Sequence, residues 1–265
     1  MGTYAISGAA SGIGAATRAK LENDGHTVIG IDLREGEVTG DLGTPEGRAA
    51  AVEQTLERCD GTLDGLVTAA GLGPPLRGRL IARVNYFGSL ALLEGLRPAL
   101  AAAGAAQVVQ VGSNSSTTTP NLPPALVDAF LSGDEDEAVR LVNEVPEPFD
   151  GAVAYGGAKL AISRWCRRAA VRDEWVGNGI TLNVIAPGPV QTPLFQAGKD
   201  DKDFAPLMDG FPIPTGEPST PDLMADWIVF LLSPAARFAC GSVIFVDGGA
   251  DALIRGDAWP DTFEM

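Results

Sequence analysis

Strand-like and helix-like segments alternate from the third residue onward, and no other feature of this sequence limits its fold as strongly. Tyr4-Ala5-Ile6 reads as a strand and residues 12–23 as a helix. A strand over 27–31 follows the Asp24-Gly25 turn. Next come a helix over 45–58 with Pro45 in its first turn, a strand at Leu66-Val67-Thr68, a long helix over 84–103 and an apolar strand over 107–111. The longest helix is expected over 154–175, then a strand over 180–185, a helix over 221–232 and a last strand over 242–246. Such alternation predicts an α/β fold: one doubly wound parallel sheet of Rossmann type with helices on both faces. With no linker and no internal repeat, residues 1–265 read as a single domain.

Three stretches depart from the rhythm. Only five residues separate Asp32 from Val38, whereas a helical crossover needs about a dozen. The second crossover is therefore expected to shrink to about one turn, with a short strand over 38–41. Residues 114–150 read as an insertion with two short helices: an apolar run from Pro123-Pro124 to Phe130, then Asp134 with Glu137 three later, a capping-box pattern. Residues 191–220 are rich in Pro, Gly and Asp and carry Leu194, Phe195, Phe204, Met208 and Phe211; they read as a lid over an apolar substrate. From Asp251 the tail is expected to be a surface arm.

Composition excludes several functions. Thirty-four acidic against 19 basic residues give a net charge of −15, which argues against nucleic acid and anionic membranes. The one histidine, His26, cannot build a histidine-rich metal site, so no metal is expected. Cys59, Cys166 and Cys240 are far apart and odd in number, which suits a reducing cytoplasm. No leader pattern precedes the first strand, and the apolar run at 227–232 is too short to span a bilayer, so a soluble chain is expected.

Two loops point to a dinucleotide. Gly8, Gly12 and Gly14, with Ser11 and Ile13 between them, lie between the first strand and the first helix. Glycines allow close approach to a pyrophosphate, and the helix N-terminus offers free N–H groups. Asp32 ends the second strand; a carboxylate there accepts ribose hydroxyls and repels a 2′-phosphate, favouring NAD over NADP. Arg34 is the residue that could reverse that preference. Further on, Tyr155 and Lys159 stand four apart, on one helix face. A phenol beside an ammonium, with an oxidised nicotinamide nearby, is expected to titrate below the ordinary tyrosine range, giving an acid/base that needs no histidine.

Together these residues resemble the short-chain dehydrogenase/reductase family along nearly the whole chain. Further similarities are Asp41-Leu42 at an adenine-contacting position, Thr68-Ala69-Ala70-Gly71, Asn85, the serine after the fifth strand, Pro187-Gly188 and Asp247-Gly248-Gly249. Within the family, the short second crossover and the insertion before the tyrosine are most similar to the bacterial 3α-hydroxysteroid dehydrogenase/carbonyl reductase group. The resemblance implies Tyr155 as acid/base and Lys159 as its tuning partner and a ribose contact. It implies Ser113 on the substrate oxygen and Asn85 in a water relay. Ser115 and Ser116 offer alternative hydroxyls. Leu33, Asp41, Leu42, Ala69, Ala70 and Gly71 would line the nucleotide; Pro187, Gly188, Val190 and Thr192 would meet the nicotinamide end. Thr68 stands where the family commonly has asparagine, which puts the usual backbone support there in doubt.

The implied function is NAD-dependent hydride transfer between a nicotinamide and a small hydrophobic secondary alcohol or ketone. The alternatives are an NAD(P)-dependent 3-oxoacyl thioester reductase and a non-catalytic nucleotide-sensing protein. An acidic carrier-protein substrate would be repelled by this acidic chain. The resemblance also implies a homodimer or homotetramer paired through the helices at 84–103 and 154–175, with the acidic insertion altering the interface.

Overall fold

A computed structural model of the chain describes residues 1–259. At its centre lies one sheet of seven parallel strands: β1 (Thr3–Ser7), β2 (Thr27–Asp32), β3 (Val38–Thr39), β4 (Gly65–Thr68), β5 (Gln107–Val111), β6 (Thr181–Pro187) and β7 (Val243–Val246). Their order is β3-β2-β1-β4-β5-β6-β7, as the α/β expectation requires. The central strands are covered on both faces, so burial runs on along them and does not alternate. The winding reverses between β1 and β4, and a crevice opens beyond their carboxyl ends.

The helices are α1 (Gly12–Asn23), α2 (Pro45–Arg58), α3 (Gly78–Ala82), α4 (Ser89–Ala103), α5 (Ser115–Thr118), α6 (Pro124–Ser132), α7 (Glu135–Asn143), α8 (Asp150–Ala170), α9 (Pro193–Asp200), α10 (Ala205–Asp209), α11 (Pro221–Leu232) and α12 (Ala250–Arg255). Helices α2, α4 and α8 bury one sheet face around Leu66, Leu93, Leu96 and Ile162. On the other face, α1 and α11 pack around Ile6, Leu21, Val67 and Ile228. One device starts three helices: Thr44, Thr192 and Thr220 accept from the N–H groups of Gly47, Phe195 and Leu223, each with proline next in the chain.

Several boundaries differ from expectation. The helix expected over 84–103 begins as α3 and passes through a π-helical segment, Arg83–Gly88, before α4. The helix expected to end at Trp175 is α8 and stops at Ala170. Trp175 is buried edge-on against Trp165, so its apolar character reports burial and not helix. In the second crossover no helical turn forms between Asp32 and Val38. Instead the Glu37 carboxylate accepts the Gly30 N–H at 2.7 Å and is held by Arg18. The strand there ends at Thr39, not at residue 41.

The insertion holds three helices, not two. Helix α5 is a Ser/Thr run without an apolar stripe, and the Thr118 hydroxyl donates to the Asn114 carbonyl. The capping box is half formed: Asp134 accepts the Glu137 N–H, while the Glu137 side chain pairs with Arg140. Helix α6 packs on α8 and α7 on α3, so the insertion covers part of the face through which pairing was expected. The expected surface arm is exposed over most of its described length and is anchored where it begins. Asp251 is buried in α12, where it accepts from Thr117 and Arg255; the arm's last residues, 260–265, lie outside the described residues. His26 accepts the Gly2 N–H at 3.0 Å, a structural use. Among the described residues no helix is long and apolar enough to cross a membrane.

Candidate active site

The glycine loop is tight because a side chain has no room. A Cβ on Gly14 would come within 2.1 Å of the Gly8 carbonyl oxygen. Gly8 has φ +71°, and a Cβ there would lie 2.8 Å from the Ala70 backbone. Ser11 sits at the N-cap of α1, but its side chain does not cap the helix. The first-turn N–H groups of α1 are thus left to an anion, and a pyrophosphate fits this cradle. The Ala70 N–H donates to Ser7 Oγ at 3.1 Å, which ties the ends of β1 and β4 across the crevice. Ile13, Ala69 and Gly71 are half-buried around it.

Opposite Gly12 stands Thr192, whose Cγ2 would be 3.2 Å from a Cβ on that glycine. Thr192 caps α9, and its hydroxyl donates to the Val190 carbonyl at 3.2 Å. Val190 is buried, and Gly188 lies against Asp247 so closely that a Cβ would meet its Cα at 2.8 Å. Pro187, Gly188, Val190 and Thr192 therefore form one wall facing the glycine loop.

Asp32 joins two loops. Its Oδ2 accepts the Ala10 N–H at 3.1 Å, and its Oδ1 accepts the Leu33 N–H at 2.8 Å. Leu33 is 57% exposed at the rim. Asp41 spends one carboxylate oxygen on the Gly43 N–H, while Leu42 is buried beside it.

Lys159 is buried and donates from Nζ to the Val111 carbonyl at 2.8 Å. Its Nζ is 5.8 Å from the centre of the Tyr155 ring. Both Lys159 and Asn85 approach Gly71, where a Cβ would lie 3.8 Å from Nζ and 3.4 Å from Asn85 Oδ1. The Asn85 amide is fully engaged with Leu72: Oδ1 accepts its N–H and Nδ2 donates to its carbonyl, both at 2.8 Å. Its side chain therefore braces the 71–72 loop from the π-helical segment. Ser113 Oγ accepts from the Ser115 N–H at 3.1 Å and from the Ser115 hydroxyl at 2.9 Å. That leaves the Ser113 proton to donate, and Ser115 orients it.

Burial dominates the electrostatics. It raises the Tyr155 phenol above the ordinary tyrosine range, against a smaller lowering by the hydrogen-bonded Ser113. The expected downward shift included an oxidised nicotinamide; from the protein's own groups burial prevails, because the ammonium beside the phenol is itself buried and Lys159 is pushed down to about 8. In this structure the site favours a protonated phenol.

Thr68 also corrects an expectation. Its hydroxyl donates to Gln110 Oε1 at 2.6 Å, and Gln110 Nε2 donates to the Val111 carbonyl at 2.8 Å. Both side chains are fully buried, so this pair supports β4 and β5 where asparagine was missed. Gln110 had gone unnoticed, although a glutamine inside an apolar strand is a signal of such pairing. Asn114 was missed too: its amide donates to Asp247 and its N–H to the Pro187 carbonyl, anchoring the serine loop to the wall that begins at Pro187. Within residues 191–220, Phe204 is buried and Met208 packs against Gly198, while Leu194 reaches over Gly73. Phe204 and Met208 thus pack within residues 191–220, and Leu194 faces the loop beside Asn85.

A family model for enoyl-(acyl carrier protein) reductases matches residues 144–251, which include Tyr155, Lys159 and the Pro187-Gly188 wall. The chain belongs to the short-chain dehydrogenase/reductase family, whose members are nicotinamide-dependent oxidoreductases. It is 40% identical to the 3-alpha-hydroxysteroid dehydrogenase/carbonyl reductase of Comamonas testosteroni, over 96% of this chain and 98% of that one. It is 30% identical to the coniferyl-alcohol dehydrogenase of a Pseudomonas strain, over 92% and 94% of the two chains. The crystal structure of the 3-alpha-hydroxysteroid dehydrogenase from Pseudomonas sp. B-0831 with NADH superposes with a TM-score of 0.90 at 45% identity, covering 98% of this chain and 100% of that one.

Proposed function

We propose that the protein is an NAD-dependent oxidoreductase acting on hydrophobic secondary alcohols and ketones, in the manner of hydroxysteroid dehydrogenases and carbonyl reductases. The observation that carries this reading is the meeting of Ser113, Tyr155 and Lys159 beside the glycine cradle. A bound nicotinamide supplies the hydride in reduction and accepts it in oxidation. In reduction, the Ser113 hydroxyl polarises the carbonyl and Tyr155 gives its proton to the oxygen as the carbon gains hydride. Lys159 then stabilises the phenolate, and a proton from solvent, taken up at Lys159 and passed on, restores the phenol. In oxidation the phenolate removes the alcohol proton. Asp32 would take the adenosine ribose hydroxyls, which favours NAD over NADP.

Apolar Leu72 and Leu194 at the mouth suit a hydrophobic substrate. Residues 191–220 act as its lid, and residues 1–265 work as one domain in a reducing cytoplasm. We assign a homo-oligomer whose interface avoids the surface covered by α6 and α7; sedimentation as a monomer at micromolar concentration would contradict it. The test of function is a screen of steroids, aryl ketones, quinones and β-ketoacyl thioesters with NADH and NADPH. NADH-dependent turnover of steroids or aryl ketones is expected. Activity confined to thioesters with NADPH would reject the reading.

A further inference from the structure

The insertion meets the far end of the cofactor crevice around Glu135, whose Oε1 also pairs with Arg83 Nε at 3.1 Å. Glu135, the first residue of α7, grips Arg48 of α2 with both oxygens: Nη1 to Oε2 at 2.7 Å and Nη2 to Oε1 at 3.1 Å. The same guanidinium donates from Nε to the Leu42 carbonyl at 2.9 Å. It lies 5.7 Å from the centre of the Phe87 ring. Arg48 is only 9% exposed. A guanidinium buried so deeply requires a charged partner, and its rigid fork fixes direction as an ammonium would not.

Leu42 stands next to the crevice. Parallel pairing sets Asp32 beside Thr39, and the Gly40 N–H donates to the Asp32 carbonyl at 3.1 Å. Asp41 and Leu42 therefore leave β3 at the carboxyl edge of the sheet, one strand beyond Asp32. A ribose held at Asp32 would carry its base toward that loop. Gly43, Thr44, Arg83 and Glu135 line one recess there, so the loop and the insertion meet directly.

We infer that Glu135 and Arg48 are positioning residues for the adenosine half of the dinucleotide. The insertion holds the Leu42 carbonyl by way of Arg48, and this sets the surface on which the adenine rests. The inference depends on the dinucleotide reading of the crevice and extends it to a part of the chain with no contact to the reacting atoms.

The test uses the full-length protein and its Glu135→Ala, Glu135→Gln and Arg48→Lys variants. Binding of NADH is followed by its fluorescence, AMP is titrated as a competitor, and kinetics are run with NADH and with reduced nicotinamide mononucleotide, which has no adenosine. In Glu135→Ala and Arg48→Lys, the Kd and KM for NADH and the Ki for AMP should rise together by about five- to tenfold. The loss should fall on KM and not on kcat, and kcat/KM for the mononucleotide should stay within about twofold. Glu135→Gln, which keeps a neutral hydrogen bond, should lie between; it carries the comparison if Glu135→Ala does not fold. Equal losses with both cofactors would overturn the inference, as would unchanged NADH and AMP affinity in folded variants. Absence of turnover on any carbonyl would reject the functional reading instead, and NADH and AMP binding would still decide this one.

Discussion

Lys159 on α8 donates to the Val111 carbonyl at the end of β5 across 2.8 Å, although the two residues are 48 apart in sequence. The bond ties the helix that carries Tyr155 to the strand that delivers Ser113. It also holds a buried amine whose pKa is pushed down to about 8.

One consequence is a pH-dependent stability with a definite sign. Below about pH 8 Lys159 is charged in both folded and unfolded states. Between about 8 and the ordinary 10.5, the unfolded chain still binds the proton that the folded chain has lost. Stability contributed through Lys159 therefore rises with pH across that window. Thermal melts of wild type and Lys159→Met should show the wild type gaining relative to the variant between pH 8 and 10.5. Parallel melting curves would contradict this.

The same titration should mark catalysis. Above pH 8 Lys159 no longer offers a positive charge to the phenolate. In carbonyl reduction, kcat/KM should fall above about pH 8, and a Lys159→Arg variant, which stays charged, should lose that break. An unshifted break in Lys159→Arg would assign the titration to another group.

Tyr155→Phe removes the proton donor and leaves the ring. Turnover should drop by about 10²- to 10⁴-fold while NADH affinity stays within about twofold. Stopped-flow turnover and fluorescence titration on the same sample separate the two effects.

The serine pair makes a graded prediction. Ser113→Ala should cost about 10²- to 10³-fold in kcat, as loss of a hydrogen bond to the developing oxyanion does. Ser115→Ala removes only a hydroxyl that orients Ser113, so its loss should be about tenfold or less. Equal losses would place Ser115 on the substrate oxygen as well.

Thr68→Val deletes a buried donor and leaves Gln110 Oε1 without it. The expected cost is about 1–3 kcal/mol of stability, read from denaturant midpoints, with kcat little changed. A neutral effect would mean that the pair contributes nothing to the sheet.

Much of the fold could be read from local pattern. α1, α2, β5 and α11 begin and end where spacing, prolines and turn residues put them. The reason is physical: cap chemistry and apolar periodicity act within one turn or one strand, so they are written in consecutive residues. Gly8, Gly12, Gly14, Asp32, Tyr155 and Lys159 were legible for the same reason, since each motif is a short spacing. Trp175 and the Ser/Thr run of α5 were misread because burial and hydroxyl bonding there answer to partners outside the local pattern.

Chain order and motif spacing were therefore enough for a doubly wound sheet, a glycine cradle and a tyrosine–lysine pair. The partners that make these parts work were decided only by packing. Gln110 meets Thr68 from 42 residues away, and Glu135 meets Arg48 from 87. A buried polar group takes whichever partner the tertiary fold presents, because leaving it unpaired costs more than any local preference. That is why residue spacing pointed to the tyrosine as an acid/base, while burial set the direction in which its pKa moves.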